Sequence, residues 1–278
     1  MPATRLPLTG APLAAPLEFQ RTGMPTPDSV LEALEFTPVV GGPSYHLLRT
    51  TELDSYEASP AKDAVSHILQ REHPPSVEEL RAALQTRPVP TGDNFAGTAR
   101  KAAKLSIAQS SPQSFADVRD LIATLPPDDA MINHVPPIST GARSTRVKEE
   151  QRNARLTGYL YAASREADND FHLIVGRDPN QLPEMYMTME VSGLPPATSP
   201  AFSAIRKARD AFKAFFGAHL PQLSYDFYHP PIPVVIEGAL FFDMTHATGQ
   251  RPGPASLKSR MPTIWEVHPV TDITLGTH

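Results

Sequence analysis

From about residue 150 the hydrophobic period of the chain changes from helical to alternating, and the elements that follow come in one order: three strands, a helix, two strands. "ARLTGYLYAAS" (154–164) sets Leu156, Gly158 and Leu160 against Thr157, Tyr159 and Tyr161, the pattern of a half-buried strand. "FHLIVG" (171–176) is the second strand. "MYMTMEV" (185–191) is the third, with Met185, Met187, Met189 and Val191 on one face. "SPAFSAIRKARDAFKAFFG" then reads as a helix capped by Ser199, begun at Pro200 and stopped by Gly217, with Phe202, Ile205, Phe212, Phe215 and Phe216 as its buried stripe. "PIPVVIEGALFFD" and "TIWEVHPVTDI" are the fourth and fifth strands. This is the order of an OB-type five-stranded barrel, in which the helix plugs one end between strands three and four. The predicted class is α+β, with an OB-like barrel over residues 149–278.

The chain before the barrel is of another kind. Residues 1–60 are broken by Pro and Gly and read as an irregular arm, with "TPVVGGPSYHLLRT" as its short strand pair. Residues 61–148 read as a mostly helical accessory region and linker. "SPAKDAVSHILQR" starts at Ser59 with Pro60 at the first helical position, and "SVEELRAALQT" carries a capping box in Ser76 and Glu79. "NFAGTARKAAKLSIAQ" and "SFADVRDLIATL" are two further helices, the second closed by Pro126 and Pro127. The 31 prolines in 278 residues fit long irregular connections.

Composition limits the chemistry. With no cysteine, disulfides and thiolate metal sites are excluded, so metal ligands must come from His, Asp and Glu. A net charge of −5 gives no general attraction to nucleic acid or acidic lipid, and any polyanion site must be local. No run reaches the roughly 18 apolar residues of a membrane span, so no membrane insertion is expected. Prolines at 2, 7, 12 and 16 break the apolar core that a secretory signal needs, and "LPLTG" at 6–10 lies at the wrong end for sortase. The expected location is cytoplasmic, with export by another route left open. "TGDNFAG" (91–97) lacks the glycines and the Lys-Ser/Thr ending of a phosphate loop, so no nucleotide cofactor is expected.

Strand alternation assigns faces to the polar residues. Asp170 and His172 share a face at the start of strand two, Glu266 and His268 share one on strand five, and Glu190 lies on the polar side of strand three. Asp243 and His246 follow strand four at the rim. If these faces converge, Asp170, His172, Glu190, Glu266 and His268 line one pocket as candidate catalytic groups. Asp170, His172, Glu266 and His268 are the candidate ligands of a divalent metal ion, the one cofactor expected. A plainer reading stands beside it: Asp168 and Asn169 make a hairpin turn, His172 is structural, and Glu190 and Glu266 are solvated. His219, His229 and His246 taken singly are more simply structural, and His278 ends the chain.

The run from about Arg146 to Ile273 resembles a group of uncharacterised bacterial proteins with an OB-fold-like domain. The resemblance rests on "RVKEEQRNARLTGYLYAASREADNDFHLIV", "FFDMTHATGQRP" and "IWEVHPVTDI". It implies a fold and a motif set and no reaction. "ADNDFHLIV" also looks like the Asp-Gly-Asp-Thr turn of staphylococcal-nuclease-like barrels, which place an acid on calcium. Asn169 stands in place of the glycine, Phe171 in place of the threonine, and the arginine-containing segment that should follow is not visible. The resulting reading is a metal-assisted hydrolase with nuclease-like phosphodiester chemistry. The alternative is a non-catalytic OB-type module that binds nucleic acid, carbohydrate or a protein partner. In it, Tyr159, Tyr161 and Tyr186 stack on rings, and Arg251, Lys258 and Arg260 of the loop "ATGQRPGPASLKSR" hold a polyanion.

Overall fold

The computed structural model describes residues 23–54, 92–247 and 251–277. These form a mixed α+β structure, mostly sheet, with strands β1 (Val30–Phe36), β2 (Tyr45–Thr50), β3 (Gln113–Phe115), β4 (Asn153–Arg165), β5 (Phe171–Gly176), β6 (Tyr186–Val191), β7 (Asp226–Phe242) and β8 (Trp265–Leu275). Five of them make a ring. β4 pairs with β5, β5 with β6, β6 with β8, β8 with β7, and β7 returns to β4. Every pairing is antiparallel except β6 with β8, where only Thr188 opposite Glu266 and Met189 opposite Val267 are in register. The sheet then runs beyond the ring: the β1–β2 hairpin adds to β7 and β3 adds in parallel to β4.

β4 and β7 each serve two neighbours, and bulges bend them to do it. One lies between Leu160 and Ala162, another around Gly238. At Gly238 an added Cβ would stand 2.4 Å from the carbonyl oxygen of Pro269, so the close approach of β7 and β8 demands glycine.

Alternation separates the two faces of the ring. One hydrophobic cluster takes Leu156 and Leu160 from β4, Leu173 and Val175 from β5, Met187 and Met189 from β6, Val234 and Ile236 from β7, and Val267 and Val270 from β8. A set drawn from all five strands marks the inside. Helix α4 (Phe202–Phe216) joins it through Phe212, whose ring lies 4.8 Å from that of Phe171, and Phe216. The helix sits between the third and fourth strands of the ring in chain order, as the sequence predicts, and Gly217 ends it at φ 55°. The outer face carries Ile174, Tyr186, Ala162 and Phe227, covered by Leu48 of β2 and by Leu257 and Met261 of the β7–β8 connection.

The region before the ring departs from expectation. The predicted helices at 59–71 and 76–86 lie outside the described residues. In 92–148 the described helices are short: α1 (Lys101–Lys104), α2 (Val118–Ile122) and α3 (Asp128–Ile132). α1 stops growing because Ala102 and Ala103 give their N–H groups to Ala142 and Ser144 across the chain, and Arg100 turns left-handed at φ 47°. The arm does carry a strand pair, as expected, but only β2 lies within "TPVVGGPSYHLLRT"; β1 precedes it, and residues 37–44 join the two. No described helix is long and apolar enough to cross a membrane.

Candidate metal centre

The turn between β4 and β5 is built by Asn169, which takes the left-handed conformation at φ 77°. Its side-chain oxygen accepts from Arg165 Nε (3.0 Å) and Arg209 Nη2 (3.1 Å), and its amide nitrogen donates to the carbonyls of Gly92 (3.2 Å) and Asn94 (2.8 Å). Arg209, buried on α4, also donates to the carbonyls of Asn169, Val191 and Ser192 and lies over the Phe171 ring. Asn169 and its partners thus hold the turn in place, and Asp170 and His172 emerge from it at the edge of the ring.

His172, Thr188, Glu190, Glu266 and His268 occupy the outer face of β5, β6 and β8, opposite the core residues Leu173, Met189 and Val267. Together with Asp170 they are all buried, none more than 3% exposed. Four of them, with Asp54 and Glu166, make two groups in which the ligating atoms lie within 4.8 Å of one another: Asp170, Glu190 and His268, and Asp54, Glu166 and His172. In the first, His268 Nε2 is 3.4 Å from Asp170 Oδ2 and 2.7 Å from Ser192 Oγ, while Asp170 Oδ1 accepts from the Gly193 N–H at 2.6 Å. Glu266 Oε1 stands 3.2 Å from His268 Nδ1 and orients the ring. In the second, three carboxylates crowd one imidazole nitrogen: His172 Nδ1 lies 2.6 Å from Glu166, 3.3 Å from Glu190 and 3.8 Å from Asp54. Glu190, a member of the first group, therefore also stands beside the histidine of the second. Its Oε2, like Asp170 Oδ2, is buried without a hydrogen bond.

The electrostatics follow from burial and crowding. Burial pushes the carboxyl pKa of Asp170, Glu190 and Glu266 well above the usual range, and neighbouring carboxylates add to it: Asp168 for Asp170, Glu166 for Glu190, Asp243 for Glu266. Burial also holds His268 well below the ordinary histidine value, helped by Lys104, Arg146 and His172. Burial opposes the charge on Lys104, yet Asp243, Asp168, Glu266 and Asp170 outweigh it and raise its pKa well above normal. Its Nζ is 3.7 Å from Asp168 and 3.8 Å from Asp243. The carboxyls named here outnumber the cations beside them, Lys104 and Arg146. Such an excess suits a divalent cation, and the mixed imidazole and carboxylate donors suit manganese, iron or zinc better than calcium.

The sequence paired its candidate ligands differently. Asp170, His172, Glu266 and His268 do meet on one surface, but His172 falls in the group with Asp54 and Glu166, and Glu190 takes the place beside Asp170 and His268. Parity along a strand shows which residues share a face, and only the pairing of β5, β6 and β8 shows which meet. The rim residues Asp243 and His246 are buried beside the cluster. Asp54 and Lys104 were missed, because they enter from the end of β2 and from α1 and carry no local signal.

The other predicted contacts are engaged elsewhere. Tyr161 and Tyr186 are not exposed as expected but 4% and 1% accessible, packed edge to face, with Tyr161 donating to the Arg177 carbonyl. The Leu160–Ala162 bulge turns Tyr161 into the covered outer cluster. Half-buried Tyr159 donates to Asp178 at 3.4 Å. Arg251 pairs with Asp128, and Arg260 pairs with Glu184 and lies over Tyr186, so both cations already face carboxylates. Lys258 sits in the one-turn helix Lys258–Arg260. His219 stacks on Phe36.

Compared with protein-family models, curated proteins and solved structures, the chain has no match.

Proposed function

We propose that the five-stranded ring is an OB-like barrel that carries a divalent-cation centre on its outer face, and that the protein is a metal-assisted hydrolase of phosphodiesters. The closing parallel pair β6–β8 and the helix between the third and fourth ring strands support the barrel reading. The centre is carried by one observation: Asp170, Glu190 and His268 bring their ligating atoms within 4.8 Å of one another, buried, and two of their carboxylate oxygens have no hydrogen bond. Leaving such oxygens unsatisfied is costly, and a bound cation removes that cost.

A cation held by these three side chains would polarise a phosphoryl oxygen and lower the pKa of a coordinated water. Glu266 fixes the His268 ring through Nδ1, and Lys104 is the cationic side chain near enough to meet developing negative charge. Glu166 and Asp168, with side chains 15% and 19% exposed, form the more open side of the cluster. The binding-module reading needs exposed aromatics on the ring, and the burial of Tyr161 and Tyr186 weighs against it.

The test uses the full chain stripped with a chelator, then titrated calorimetrically with manganese, zinc, magnesium and calcium, and assayed on bis-p-nitrophenyl phosphate and on single-stranded and duplex DNA. Expected are micromolar or tighter binding of manganese or zinc and metal-dependent phosphodiester cleavage, both lost in Asp170→Asn. No binding of any ion at millimolar concentration ends the metal reading. Binding without turnover leaves a metal-stabilised module.

A further inference from the structure

We infer that the centre is binuclear, with Glu190 bridging a first ion on Asp170 and His268 and a second ion on Asp54, Glu166 and His172. This rests on the cation reading above and extends it. The second group is a ligand set in its own right: two carboxylates and one imidazole, from β2's end, the β4–β5 turn and β5, within 4.8 Å of one another. A structural histidine needs one carboxylate at its Nδ1. His172 has three within 3.8 Å of Nδ1, of which Asp54 also accepts from the Tyr225 hydroxyl and the Gly253 N–H, while Nε2 faces Thr188 Oγ1 at 3.3 Å.

Glu190 connects the two groups. Its Oε1 stands 3.3 Å from His172 Nδ1 in the second group, and it shares the first group's 4.8 Å cluster with Asp170 and His268. Its Oε2 is buried with no hydrogen bond. A carboxylate that belongs to one ligand set and reaches the histidine of the other, with one oxygen unsatisfied, is placed as a bridging ligand would be. Further acids stand around the pair: Glu266 behind His268, and Asp168 and Asp243 at Lys104. They offset the charge of two dications better than of one. The chemistry this selects is in-line displacement at phosphorus, where two ions about 3.5–4 Å apart hold the attacking and leaving oxygens.

The experiment reads stoichiometry and magnetic coupling on the full chain, independently of turnover. The stripped protein is loaded with manganese, passed through a desalting column, and measured by elemental analysis and electron paramagnetic resonance. Expected are two manganese ions per chain with an exchange-coupled spectrum. Glu166→Gln should retain one ion with the spectrum of isolated manganese, and Glu190→Gln should weaken both sites at least about tenfold. One ion per chain in the unaltered protein, or two ions without coupling, overturns the bridged pair and leaves the single-ion reading standing. No ion at all overturns both. Because the unaltered protein alone decides between these outcomes, a variant that fails to fold does not rescue the proposal.

Discussion

Asn169 shows how one residue serves the fold and the candidate centre together. Its left-handed backbone and its side-chain hydrogen bonds with Arg165, Arg209, Gly92 and Asn94 fix the point from which Asp170 and His172 leave the turn. Asn169→Ala should cost about 2–4 kcal/mol in urea denaturation, and Asn169→Gly should recover only the backbone part. Asp226 tests the opposite case, a buried carboxyl with poor compensation. Burial raises its pKa to about 7, with Arg49 3.7 Å away opposing the rise and Glu32 adding to it, and its Oδ2 has no hydrogen bond. A folded value above the unfolded one means that protonation favours the fold, so this contribution is full below about pH 4 and is lost as the pH climbs through about 7. Asp226→Asn should therefore flatten the fall in melting temperature between those values and leave the variant the more stable at pH 8, by at most about 4 kcal/mol. Glu190→Gln keeps the shape of the side chain and removes one crowded acid. The chelated variant should melt no lower than the chelated parent while binding manganese more weakly. A lower melting temperature would mark Glu190 as structural.

At the scale of elements, the connection before β4 is clamped to the end of β7. Arg100 forms a bidentate pair with Glu150 at 2.6 and 2.8 Å and donates to the Phe242 carbonyl, while Glu150 accepts from the N–H groups of Phe242 and Val147. Arg146 reaches the carbonyls of Leu240 and His268. Arg100→Met should destabilise by about 3–5 kcal/mol because it strands a buried carboxylate, and adding Glu150→Met should restore part of that loss. Arg146 and Glu150 lie in "RVKEEQR", whose role a sequence reading leaves blank because their main partners, Arg100 and the backbone of Leu240, Phe242 and His268, are far away in the chain. The ring strands were far more legible. β5 matches its predicted span residue for residue, since nothing interrupts its alternation. β7 was read late, from Pro231 instead of Asp226, because Pro230, Pro231 and Pro233 obscure a strand. The sheet tolerates Pro230 and Pro231 because pairing with β4 skips there, from Phe227 opposite Ala162 to Ile232 opposite Leu160. For the candidate centre, alternation was enough to place His172, Glu190, Glu266 and His268 on one side of their strands. It carried no information on Asp54, which joins them from more than a hundred positions earlier in the sequence.

At the scale of the whole molecule, the cluster is assembled from β2's end, α1, the β4–β5 turn, β5, β6, β8 and the residues after β7. An unfolded chain cannot present that set. Ion binding there would thus be linked to folding, and manganese at about a hundred times its dissociation constant should stabilise the protein by about 2.7 kcal/mol, read as a rise in melting temperature that chelator reverses. An unchanged melting temperature with ion bound would mean that the ligands sit on a segment that opens without unfolding the ring. The parallel pairing of β6 with β8 gives this linkage a location. It is the shortest contact in the ring, two residue pairs long; Glu266 is one of the paired residues, and Glu190 on one strand and His268 on the other follow it directly. In a chain with no cysteine, cations held across that line would do the work of a staple between strands. Stripping them would act as reduction acts on a cross-linked protein, leaving the core packed while the ring loses its clasp.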